Sequence, residues 1–97
     1  MIRHYEVTLT AAAQNVATAL GLTAATDIPF RQLFFQTFTA DAYLGGSTVS
    51  TSSFGMKLLA TGSAITTVGG FDCGPLKLSD FYAVGNTAVV HILGIPF

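Results

Sequence analysis

The chain has 97 residues, a length that suits one domain and is too short for two that would each bury a core. Hydrophobic residues make up 51% of it and charged ones only 9%, against roughly 25% charged in an ordinary soluble domain, so a small, surface-rich molecule is left with little charge to dress itself and calls for another cover. The net charge is -1, and the four permanent cations, Arg3, Arg31, Lys57 and Lys77, are scattered, which excludes a basic stripe able to follow a phosphate backbone.

Residues 2–10 alternate, with Tyr5, Val7 and Leu9 on one face and His4, Glu6, Thr8 and Thr10 on the other. This is the period-two pattern of a half-buried strand. His4 and Glu6 also interrupt any apolar run after Arg3, so the segment does not read as a signal peptide and an unexported protein is expected. Within residues 11–20, Val16, Ala17 and Leu20 have helical spacing, and Gly21 is placed to end a short helix. The uncharged run 8–26 is rich in threonine and holds Gln14, Asn15 and Gly21, so it does not form the stretch of about 20 apolar residues that crosses a bilayer. Residues 23–29, with Asp27 and Pro29, read as a loop.

Aromatic content predicts a strand over residues 30–39, with Phe30, Phe34 and Phe38 on one face and Leu33 and Phe35 on the other. Short β-prone runs follow at 42–44, 47–50, 55–60, 64–68, 76–78 and 81–84, punctuated by Gly45-Gly46, Gly62, Gly69-Gly70, Gly74-Pro75 and Gly85-Asn86. The last run, 88–95, sets Val89, His91, Leu93 and Ile95 against Ala88, Val90 and Ile92. Short strands at frequent turns predict an all-β domain over residues 1–97, a small antiparallel β-sandwich or barrel of jelly-roll-like kind with one short helix near residues 11–20. A sandwich covers one face of each sheet, so strands that are apolar on both faces need a loop or a partner over the second. Phe30, Phe34, Phe38, Ile95 and Phe97 are the candidate interface residues.

The chemistry of a hydrolase would have to come from Ser79 or Cys73 with His91 or His4 and Asp72 or Asp80. No glycine-framed nucleophile elbow is present, and Ser79-Asp80 reads as a turn or a short helical cap. His91 sits in an apolar strand as a partly buried imidazole, and His4 on a polar face. Two histidines and one cysteine at unrelated spacings do not make a zinc site. The glycines at 69, 70 and 74 lack the lysine and the spacing of a phosphate loop, and read as a turn needing permissive backbone angles. Cys73, the one cysteine, excludes an internal disulfide and fits a reducing compartment. No neighbouring histidine or cation run activates it, so it reads as a small apolar filler. The expectation is no enzyme, no cofactor and no metal, with the aromatic residues mainly in the core.

The phrases Ala42-Tyr43-Leu44-Gly45-Gly46-Ser47-Thr48-Val49-Ser50, Gly55-Met56-Lys57-Leu58, Leu78-Ser79-Asp80-Phe81-Tyr82-Ala83-Val84-Gly85 and Val89-Val90-His91-Ile92-Leu93-Gly94-Ile95 resemble small tailed-bacteriophage virion proteins of the capsid decoration or cement type. The resemblance covers about the C-terminal half and the first strand. Its elements are strand-and-turn phrases, and it carries over no catalytic or interface residue. The glycine-rich segment 69–74 with Cys73 is longer than that pattern. The resemblance implies a β-sandwich or barrel that decorates a shell assembled in the bacterial host cytoplasm, as a homo-oligomer, a closed trimer first, in contact with the major capsid protein. Two other roles stand beside it: a tail or baseplate module that stacks a host glycan on exposed Tyr or Phe, and, more remotely, a small hydrolase or metal-binding protein.

Overall fold

Residues 2–38, 40–60, 65–69 and 75–97 are described by the structure, a computed structural model of the chain. In chain order they form β1 (Arg3–Thr8), β2 (Gln14–Asn15), α1 (Val16–Ala19), β3 (Phe30–Thr37), β4 (Ala42–Gly45), β5 (Met56–Leu58), β6 (Thr66–Gly69), a 3-10 turn (Leu78–Asp80), β7 (Tyr82–Val84) and β8 (Val89–Pro96). Strand pairing runs inward from the ends of the chain: β1 with β8, β2 with β7, β3 with β6, β4 with β5, all antiparallel. Such a nested ribbon has its tip at β4–β5 and wraps on itself when β8 also pairs with β3, and β7 with β4. The result is two four-stranded sheets, β1-β8-β3-β6 and β2-β7-β4-β5. This strand order is the double Greek key of an eight-stranded jelly roll, as the spacing of strands and turns predicts.

The core lies between the sheets. Val7, Leu33, Phe35, Val90 and Ile92 from the first meet Ala42, Leu44, Leu58 and Ala83 from the second. Alternation in β1, β3 and β8 places these residues on one face because successive side chains of a strand point to opposite sides. Thr37 of β3 is buried as well, and its hydroxyl donates to the Ala40 carbonyl at 2.7 Å, so it is not left unsatisfied.

Local departures from the expected elements have identifiable causes. The predicted helix over 11–20 is reduced to α1, because Gln14 and Asn15 pair with Ala83 and Tyr82 of β7 as a two-residue strand. Asn15 then caps the single turn, its side-chain oxygen accepting from the Thr18 N–H at 3.2 Å. Gly21, at φ 74°, ends it as expected. The β-branched run 47–50 is not a strand. It lies in the connection from β4 to β5, where the Ser50 hydroxyl accepts from the N–H groups of Ser52 and Ser53 and competes with any ladder. The run 76–78 contributes one bridge, Phe30 to Leu76, before the 3-10 turn. Residues 61–64 and 70–74, with Cys73 and Asp72, lie outside the described residues.

The face predicted for Phe30 is corrected. Pro96 pairs with Phe30 and Ile95 with Gln32, so β3 has one extra residue, Arg31, at that point. A bulge of one residue reverses the alternation before it. Phe30 therefore points inward and is wholly buried, while Phe34 points outward. Gly94 makes room for it: a Cβ there would sit 2.5 Å from the Phe30 ring. Tyr5 closes the other side with an edge-on contact, ring centroids 6.2 Å apart.

Candidate interaction surface

The outer face of the β1-β8-β3-β6 sheet follows directly from the register. Residues directly opposite share a face, so His4, Leu93, Phe34 and Thr67 form one row across all four strands, and Glu6, His91 and Gln36 form the next. Among them lies an open depression of about 310 Å³ lined by His4, Glu6, Phe34, Ile65, His91 and Leu93. Ile65 is 61% exposed, Leu93 40% and Phe38, just beyond β3, 51%. Scattered exposed apolar residues are ordinary, whereas several converging on one sheet face mark a contact surface.

The ionisable groups on this face, His4, Glu6 and His91, lie on β1 and β8, and Gln32, Gln36 and Thr67 add uncharged polar groups on β3 and β6. Glu6 and His91 lie opposite one another, with Oε2 3.9 Å from Nδ1. Both are well exposed, so the pair contributes little to stability. Phe38 sets its ring edge against His91 at 5.0 Å between centroids. At the C-terminal corner the Arg31 guanidinium lies 5.2 Å from the Phe97 ring centre, a cation–π contact on the same bulge that turns Phe30 inward.

Of the five candidate interface residues, Phe34 and Ile95 belong to the outer face, Phe38 adjoins it, and Phe97 lies at its corner under Arg31. Phe30 does not belong to it. Leu93 and Ile65, absent from the sequence-based set, do; Leu93 was legible from its alternation with His91, whereas Ile65 precedes a strand too short for its face to be read.

The second sheet carries a separate aromatic group. Tyr43 and Phe54 have ring centroids 5.0 Å apart, and Lys57 lies 5.5 Å over Tyr43 and 3.7 Å from Asp41. Asp41 is held by the Ala60 N–H, 2.9 Å from its Oδ1.

The residues considered for hydrolysis are not brought together among the described ones. Ser79 and Asp80 lie in the 3-10 turn beside α1, where the Ser79 carbonyl accepts from Asn15 Nδ2 at 2.8 Å and the Asp80 carboxylate accepts from the Lys77 N–H at 2.9 Å. His4 and His91 stand on the outward face of the other sheet. Among the described residues no group of three or more His, Cys, Asp or Glu side chains is placed to hold a metal ion. None of the helices described is long and apolar enough to cross a membrane. No protein-family model, curated protein or solved structure matches this chain.

Proposed function

We propose that the chain is a structural protein of a bacteriophage particle, a capsid decoration or cement module that reinforces a shell by contact with its own copies and with the major capsid protein. The observation that carries this reading is the outer face of the β1-β8-β3-β6 sheet, where Phe34, Ile65 and Leu93 surround an open depression in a chain with only 9% charged residues. Apolar area removed from water contributes roughly 25 cal/mol per Å², and a contact repeated over a shell multiplies a modest gain without any chemistry. The jelly-roll strand order supports the reading as an analogy, since that fold recurs in capsid domains but also in lectins. The resemblance to decoration proteins supplies the setting, the virion assembled in the host cytoplasm, and a closed trimer as its first stoichiometry.

The reading involves no catalysis, cofactor, nucleic acid or membrane. Asp80 and Asn15 have structural work as caps, and His91 packs on Phe38. Replacing Phe34 and Leu93 together by Asp is expected to leave the circular dichroism spectrum unchanged and to abolish retention on purified particles. Unchanged retention would overturn the assignment of this face.

A second reading rests on the other sheet. The exposed Phe54 beside Tyr43, with Lys57 and Asp41 at hand to hydrogen-bond hydroxyls, suits a tail or baseplate module that stacks a host glycan. Glycan-array binding lost in Phe54→Ala would favour it; a copy number near that of the major capsid protein would count against it.

A further inference from the structure

The β1-β8-β3-β6 sheet ends on one side in β1, whose outer edge carries no strand among the described residues. β1 is six residues long, has no proline, and keeps one register against β8 from Arg3↔Gly94 to Thr8↔Val89. Natural edges are blunted by proline, bulges, brevity or charge; of these β1 has only charge, Arg3 and Glu6, which disfavours a partner that opposes like charges and permits one that opposes unlike ones. Beyond β1, Leu9 donates its N–H to the Ala88 carbonyl at 2.8 Å. Backbone groups alternate sides along a strand, so the odd-numbered residues of β1 bond toward β8, while the N–H and C=O of His4, Glu6 and Thr8 face the open edge. All three residues are exposed.

Two copies of this edge can pair antiparallel about a twofold axis only by opposing even-numbered residues, which puts the axis at His4, Tyr5, Glu6 or Val7, the last opposing Glu6 to the partner's Thr8 with no opposite charge and only residues 6–8 of β1 in register. An axis at Glu6 sets carboxylate against carboxylate, and one at His4 sets imidazole against imidazole. An axis at Tyr5 sets His4 against the partner's Glu6 twice over, an imidazole donor facing a carboxylate on the outer face. Glu6 would then lie between its own His91, 3.9 Å away, and the partner's His4.

We propose that two copies of this chain join along their β1 edges about a twofold axis at Tyr5, making one eight-stranded sheet whose outer faces form a single docking surface. This rests on the self-association part of the function proposed above and names its contact. The pair, and not the trimer implied by the resemblance, is then the unit that docks.

The test is the molar mass of the full chain by light scattering across a concentration series, for wild type and four variants. Glu6→Pro removes an N–H that faces the open edge and breaks no bond to β8, so it is expected to fold and to weaken pairing by at least about tenfold. His4→Glu and Glu6→Lys alone are expected to weaken pairing, and the double variant, which exchanges the two signs, to restore it. The charge exchange decides the matter if Glu6→Pro fails to fold. Wild type that associates while neither Glu6→Pro nor the single charge variants alter its mass would overturn the edge pairing and leave the apolar-face reading standing. Wild type that stays monomeric throughout the series would overturn the edge pairing together with the self-association part of the proposed function.

Discussion

Phe30 and Phe34 stand four residues apart in one strand and have opposite fates. A strictly alternating strand would put them on the same face; the extra residue at Arg31 turns Phe30 into the core, against Gly94 and Tyr5. Phe30→Ala is therefore expected to cost about 3–5 kcal/mol in urea unfolding, and Phe34→Ala much less. Similar losses for the two would contradict the bulge. The sequence did not carry this feature, because reading faces by parity assumes that no residue is inserted, and Arg31 has nothing in its type that announces one. Leu33, Phe35, Val90 and Ile92 lie beyond the insertion, in runs whose alternation is uninterrupted, and their grouping by face was legible, although which face is the core was not.

At the scale of elements, length decided what was readable. β1, β3 and β8 have six to eight residues each, enough for a pattern to repeat. β2 has two, and exists because β7 offers it a partner sixty-odd residues away in the chain, a tertiary fact that no local window contains. Asn15 shows how such a junction is held: its side-chain oxygen caps α1 while its Nδ2 donates to the Ser79 carbonyl, tying the helix to the 3-10 turn. Asn15→Ala removes both, and thermal unfolding should report a loss of about 1–2 kcal/mol. Asn15→Asp keeps the acceptor for the cap and loses only the second bond, so it should fall between the two. The run 47–50 failed for a converse reason. Its Thr and Val favour strands, but Ser50 offers the backbone local hydrogen bonds that a turn can use.

For the whole molecule, the low charge of the composition and the apolar residues on both faces of β8, with Phe34 on the outer face of β3, point the same way. The nested pairing of the chain's two ends builds a sandwich with one closed core, and the outer side of the β1-β8-β3-β6 sheet remains as apolar surface around Leu93, Phe34 and Ile65. That surface was legible as a need for cover, since Val89, His91, Leu93 and Ile95 alternate with core residues of equal hydrophobicity. Its exact membership was not, because Phe30 left it and Ile65 joined it through register alone. A cryo-EM map of the intact particle carrying this protein tests the central claim most directly. The account predicts many copies on the shell with Phe34 and Leu93 buried against protein; copies seated by another surface, with that face open to solvent, or a shell without the protein, would contradict it.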